Sequence, residues 1–264
     1  MTRRQRGLAA VLAVVGAGML ALVAGAPWGG RHAAPQAPAA AVHVAGEAAQ
    51  AVDTGRLLFV GASYSIGLGA TGPSAGYPSL VAARLHRPYT IDAFSGTGFQ
   101  NPGRHHAGTF AQRITRLPTL PAPSIVIIQG GRDDTRYPAA NEFTAAVDTI
   151  ALAQRRFTSA RVVVLGPIPA ILPVSSRITE IRSALGRACA AAHAGFIDPI
   201  GLHWITPANV RAFSGHVRGH PNDAGYAYIA TRLMAALPRA LQAGRAPVRP
   251  PPTPTDAPSS PTLT

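Results

Sequence analysis

Residues 124–134 read SIVIIQGGRDD: a β-branched apolar run without alternation, closed by two glycines and then by charge. Such a run suits a strand buried on both faces of a sheet. The polar residues that follow it then stand at the strand's carboxyl end. Working outward, RLLFV at 56–60 and RVVVL at 161–165 repeat the pattern, and 89–94 and 195–197 are shorter versions of it. Longer segments with helical spacing lie between them, at 77–85, 108–117, 140–157, 176–193 and 224–237, the last with Asn222 or Asp223 as its cap. Strand and helix in turn imply βαβ units and a parallel sheet, hence an α/β chain with a three-layer α/β/α sandwich. In such sheets ligands bind outside the carboxyl ends of the strands.

Composition narrows the rest. The chain has 264 residues, 24 Lys+Arg against 11 Asp+Glu, a formal net charge of +13 and 47% hydrophobic residues. The apolar fraction excludes a wholly disordered chain. No Lys is present, and the Arg residues are scattered rather than gathered in a run. With no zinc-finger spacing, aromatic RNA-binding signature or recognition helix, no nucleic-acid partner is expected. The charge fits either an Arg-rich solvated surface or attraction to an anionic envelope surface. The single cysteine, Cys189, excludes an internal disulfide framework and a multi-cysteine zinc site, and its alanine neighbours point to burial.

Both ends read as attachments. Arg3, Arg4 and Arg6 precede an uncharged stretch from Gly7 to Gly30, which fits a signal peptide or an N-terminal membrane anchor. Ala24-Gly25-Ala26 matches a small-x-small cleavage pattern, and Pro27 directly after it disfavours cleavage there. Either outcome exports the remainder. Residues 31–54 are an Ala/Pro/Gly-rich linker, 55–243 the folded domain, and 244–264 a Pro-rich tail expected to be disordered. Oligomeric state is not visible in the sequence.

The strand ends carry the chemistry. After the first strand comes Gly61-Ala62-Ser63-Tyr64-Ser65, with Ser63 expected at the start of a loop. After the second comes Ser95-Gly96-Thr97-Gly98-Phe99, and after the third Gly130-Gly131-Arg132-Asp133-Asp134. His220-Pro221-Asn222-Asp223-Ala224-Gly225-Tyr226 opens the last helix. A serine, Gly-rich loops with open N–H groups and a histidine on one rim suit acyl transfer through a covalent serine ester.

These four blocks, in this order, resemble the SGNH (GDSL-type) hydrolase family, in the branch whose first block reads Gly-x-Ser-Tyr-Ser/Thr. The resemblance covers about residues 57–237. It implies a flavodoxin-like fold and cleavage of a small-molecule or glycan-linked ester without cofactor or metal. By this resemblance Ser63 is the nucleophile and His220 the general base. The N–H groups of Ser63 and Gly96 are oxyanion donors, with Gly98 in place of Gly96 if that block is shifted.

Two positions depart from the family. Three residues before the His, where the family has an orienting Asp, stands Val217. A main-chain carbonyl would then have to orient the imidazole, leaving a Ser–His dyad. The family's third block, Gly-x-Asn-Asp, supplies an Asn amide to the oxyanion. Reading Gly131-Arg132-Asp133-Asp134 puts Asp133 there, and reading Gly130-Gly131-Arg132-Asp133 puts Arg132 there; the first keeps the second Asp. An ionised Asp accepts hydrogen bonds and donates none, while a protonated one donates only if its pKa is strongly raised. Three readings stay open: an active but atypical esterase, an acyltransferase using the same residues, and a weak or inactive domain that binds acylated glycan or polymer.

Other signals are weaker. Gly67-Leu68-Gly69-Ala70-Thr71-Gly72, with Asp92 about 20 residues on, matches a dinucleotide fingerprint. It lies six residues past its strand and runs into Pro73, so a flexible loop beside Ser63 is the better reading. His105 and His106 lack an acidic partner at ligand spacing and read as surface residues. Arg132, Arg136 and Arg218 are either solvated or rim cations able to bind an anionic part of a substrate. His203-Trp204 reads as core or pocket-wall packing.

Overall fold

The structure, a computed structural model, describes residues 55–104 and 107–244. The expected export segment at 1–30, the linker at 31–54, His105, His106 and residues 245–264 of the tail lie outside the described residues. Among those described, no helix is long and apolar enough to cross a membrane.

Among the described residues five strands form one sheet: β1 (Arg56–Gly61), β2 (Tyr89–Ala93), β3 (Pro123–Gln129), β4 (Arg161–Leu165) and β5 (Gly195–Ile197). All pairings are parallel, in the order β2-β1-β3-β4-β5. The chain therefore reverses its direction of travel between β1 and β3. A crevice opens at such a switch point, outside the strand ends. Among the described residues the α-helices are α1 (Ser63–Ile66), α2 (Tyr77–Arg84), α3 (Phe110–Arg116), α4 (Ala139–Arg156), α5 (Ser176–Ala191), α6 (Val210–Phe213) and α7 (Asp223–Ala243).

Side chains alternate across a strand, so each apolar run feeds both faces. Leu57, Phe59, Ile125, Ile127, Val163 and Leu165 pack with Val81 of α2 and with Tyr226, Ile229 and Leu233 of α7. Leu58, Val60, Val126, Ile128, Val162 and Val164 pack with Phe110 and Ile114 of α3, Ile150 of α4, and Ile181 and Leu185 of α5. This is the expected three-layer sandwich, with Cys189 and Trp204 inside it. β2 is the exception to two-sided burial, because at the sheet edge its first residues are exposed.

Helix starts follow their caps. Thr109 and Gln112 form a reciprocal capping box on α3, and Ser175 caps α5. On α7 the cap is Asn222, whose side-chain oxygen accepts the Gly225 N–H at 2.8 Å. Two expectations change. The last helix does not end at Leu237 but continues through Pro238 to Ala243. An interior proline costs about 3 kcal/mol, and burial of Leu237 and Ala240 against the sheet offsets it. Ser63 does not begin a loop but is the first residue of α1.

Candidate active site

β1 turns into α1 with only Ala62 between them. Gly61 makes this possible through space rather than dihedral freedom: a Cβ there would sit 2.1 Å from Ser65 Oγ. Ser65 is buried, its hydroxyl 2.8 Å from that of Tyr77. As the first helical residue, Ser63 has an N–H with no intrahelical acceptor, and no side chain caps α1.

His220 arrives on a tight loop. Gly215 N–H donates to the His220 carbonyl at 2.8 Å, and His220 N–H donates to the Val217 carbonyl at 3.0 Å. The imidazole Nε2 lies 2.8 Å from Ser63 Oγ. Its Nδ1 lies 3.2 Å from the Arg218 carbonyl. A carbonyl can only accept, so the proton sits on Nδ1 and Nε2 keeps the lone pair that accepts the serine hydroxyl. Asp223, the nearest acid in sequence, is held elsewhere: its oxygens accept Thr71 N–H and Oγ1–H at 2.8 and 2.7 Å.

Arg132 braces this loop from the end of β3. Its Nη1 donates to the Gly219 carbonyl at 2.7 Å and to Tyr64 Oη at 3.0 Å. Tyr64 O–H itself donates to the Gly219 carbonyl at 3.0 Å. The guanidinium lies 5.4 Å from the Tyr64 ring centroid, within cation–π range. Strand ends β1 and β3 thus grip the residue next to His220. Burial lowers the His220 pKa below its ordinary value, the hydrogen bond to the Arg218 carbonyl opposes this, and the Arg132 charge adds to the lowering. Arg132→Ala is expected to cut ester turnover about 10–100-fold by freeing the loop. It should also move the acid limb of the pH–rate profile upward, because a cation beside the imidazole is gone. A pH profile of kcat/KM checks both, with Arg132→Lys intermediate because it keeps charge but loses the fork.

Asp134 organises the second block. Its buried carboxylate accepts the N–H groups of Phe99, Gln100 and Asn101 at 3.1, 2.9 and 2.9 Å. Gly98 is required beneath it, since a Cβ there would meet the carboxylate at 2.2 Å. The Gly98 N–H donates to the Asn101 carbonyl at 2.8 Å and so is already committed. The Gly96 N–H meets no protein acceptor among the described residues; Gly96 has φ +76° and open space where a Cβ would be. Gly96 and Asp133 line the same cleft. Asp134 is spent on the loop and Arg132, which also lines this cleft, on the histidine segment, so Asp133 is the third-block residue on the cleft wall without such a commitment among the described residues. Burial raises the Asp133 pKa, while Arg132 and Arg136 counteract that and Asp134 reinforces it.

Behind Asp134 lies Glu142, buried in α4, its Oε2 accepting Gln100 Nε2–H at 2.6 Å. Burial and the neighbouring Asp134 charge push its pKa up to about 8. With a raised folded-state pKa, its stabilising effect is complete below the unfolded carboxyl range and fades as pH rises through about 8. Glu142→Gln mimics the protonated acid. It should match wild type near pH 5 and melt about 3–6 °C higher at pH 9, as thermal unfolding at the two pH values would show.

The sequence placed Asp134 in the third block without giving it a role, and did not flag Glu142 or Arg113. Arg113 is buried, donating to Asp92 Oδ2 at 2.8 Å and to the Gly61 carbonyl at 2.7 Å, which fixes the ends of β2 and β1. Asp92 is therefore an ion-pair partner, not a ribose acid. The Gly67–Gly72 loop is tied down rather than free, by Thr71 to Asp223 and by Tyr226 O–H to the Leu68 carbonyl at 2.8 Å. Its Gly69 is needed because a Cβ would lie 2.7 Å from the Pro221 carbonyl oxygen.

A match to the GDSL-like lipase/acylhydrolase family spans residues 59–228, which includes every block of the site. The chain belongs to this family. A GDSL lipase of Mycobacterium tuberculosis is 32% identical over 183 residues, 66% of this chain and 78% of that protein. Among solved structures, a carbohydrate esterase family 2 enzyme with a carbohydrate-binding domain from Corynascus thermopiles (Myceliophthora fergusii) superposes with TM-score 0.58 at 20% identity. The match covers 79% of this chain and 69% of that one. A salicylyl-acyltransferase from a tetracycline biosynthetic pathway superposes with TM-score 0.56 at 16% identity, over 70% and 55% of the two chains. These structures share the GDSL fold; their own substrates are theirs.

Proposed function

We propose that this GDSL-family chain is an exported serine ester hydrolase that works through an acyl-enzyme on Ser63. The observation that carries the reading is the 2.8 Å contact between Ser63 Oγ and His220 Nε2, with Nδ1 turned to a main-chain carbonyl. Export is supported by the basic and then apolar N-terminal sequence.

In this reading His220 Nε2 takes the hydroxyl proton as Ser63 Oγ attacks the ester carbonyl carbon. The N–H groups of Ser63 and Gly96 stabilise the oxyanion. The imidazolium gives its proton to the leaving alkoxide, and the Ser63 ester remains. Water, deprotonated by the same nitrogen, then releases the acid. A carboxylate partner can be worth about 10⁴-fold in a tuned protease; here the Arg218 carbonyl and the Arg132 brace take over the orienting part. The catalytic power lost with that carboxylate favours a slow enzyme. Transfer to an alcohol instead of water uses the same intermediate, and the fold likeness to a named acyltransferase keeps that variant in view. The fold likeness to carbohydrate esterases supports a glycan-linked ester among the substrates.

Stopped-flow hydrolysis of p-nitrophenyl acetate tests this. A p-nitrophenol burst equal to the enzyme concentration is expected, with an acid limb below the ordinary histidine pKa of about 6.5, since the imidazole pKa is lowered. Linear product release insensitive to His220→Ala would contradict it.

A further inference from the structure

The cleft that Gly96 lines has a cavity of about 760 Å³ and also carries Arg104, Arg132, Arg136, Asp133, Asn101 and Tyr137. Among the described residues none of these three arginines is in an ion pair. Among the described residues Asp133 is the one carboxylate on the wall, so the cleft holds more cation than anion. A second cavity, of about 680 Å³, has a mainly apolar wall that includes Pro169, Leu172, Val174, Ile205 and Val210 together with His203 and Arg211, and a recess carries Pro169, Ile205 and Val210 alongside His220.

We propose that the Arg104–Arg132–Arg136 cleft is an anion subsite that holds a carboxylate or phosphate carried by the ester substrate. The inference rests on the ester-hydrolase reading and names the substrate class for it. A guanidinium recognises either group through paired N–H donors. A concave wall of one charge sign concentrates such ligands from solution. Gly96 joins the subsite to the N–H proposed for the oxyanion, so one substrate molecule can span both. Arg132 Nη1 is already spent on Gly219 and Tyr64, which leaves Arg104 and Arg136, both exposed, as the groups to grip the anion.

Paired substrates test this on the full chain. One pair puts the charge on the acyl side: p-nitrophenyl hydrogen adipate against p-nitrophenyl hexanoate. The other puts it on the alcohol side: an acetyl ester of glycerol 3-phosphate against glycerol monoacetate. The expected result is a kcat/KM about 10–100-fold higher for the anionic member of one pair. That preference should fall toward unity in Arg104→Gln/Arg136→Gln and in 1 M NaCl, where the screening length is about 3 Å. The preferred pair shows which end of the substrate bears the charge. Calorimetry with inorganic phosphate reads the subsite without turnover, and saturable binding lost in the double variant is expected. Neutral-ester turnover with no anionic preference in either pair, and no phosphate binding, would overturn the subsite. Phosphate binding lost in the double variant, in a chain that turns over no ester, would uphold the subsite and reject the hydrolase reading.

Discussion

Ser63→Ala is expected to lower kcat/KM for ester hydrolysis by about 10⁴–10⁶-fold, and His220→Ala by nearly as much. The two side chains meet at 2.8 Å and, in the proposed mechanism, act as one proton-transfer unit. The double variant should therefore lose little more than either single one. Residual activity comes from oxyanion donors on the main chain, which neither substitution removes. Folding is not the cause of the loss in Ser63→Ala: the hydroxyl caps nothing, and α1 has no side-chain cap to disturb. The melting temperature should stay within about 2 °C of wild type. Steady-state kinetics of the three variants beside thermal unfolding check both statements. A Ser63→Ala chain that keeps more than a tenth of wild-type activity would rule Ser63 out as nucleophile.

The second large effect runs the other way. With Asp133 ionised on the oxyanion side, Asp133→Asn is expected to raise kcat by about 10–100-fold. An ionised carboxyl at this position repels the developing oxyanion and donates nothing to it. An amide of the same shape can donate, and a single oxyanion donor is worth about 10²–10³-fold. Wild-type Asp133 is pulled two ways: burial raises its pKa, and Arg132 and Arg136 hold it down. If the acid works protonated, as a donor, the wild-type rate should fall as pH rises through its pKa and Asp133→Asn should flatten that limb. If it is ionised throughout, Asp133→Asn raises kcat at every pH above the carboxylate range. The pH profile of kcat for the two chains separates these cases. A loss of kcat in Asp133→Asn at all pH values would remove Asp133 from the oxyanion side altogether.

The fold was legible because three runs, RLLFV, SIVIIQ and RVVVL, are apolar on both faces, and only a central parallel strand needs that. Three polar blocks fell at strand ends for the same reason and a fourth opened the last helix, so Ser63 and His220 stood out before any geometry. The register of the third block did not follow from the sequence. Gly130 and Gly131 allow two alignments, and only the three N–H groups on Asp134 assign it to the loop. Arg132 was read as either a solvated residue or a rim cation, not as a brace. Its partners are a carbonyl and a tyrosine hydroxyl distant in the chain, and no local pattern encodes such a contact. The same holds for Glu142, which reads as an ordinary polar residue of a helix until α4 packs it behind Asp134. Pro238 misled in the usual way, since a proline predicts a helix end unless tertiary burial outweighs it.

The central claim is that Ser63 is an activated nucleophile despite Val217 and Asp133. Labelling of the full chain with a fluorophosphonate probe tests it most directly, because the probe reacts with an activated serine whatever the natural substrate. The predicted result is stoichiometric labelling that maps to Ser63 and is lost in both Ser63→Ala and His220→Ala. No labelling of folded wild-type protein, or labelling that persists in His220→Ala, would contradict it.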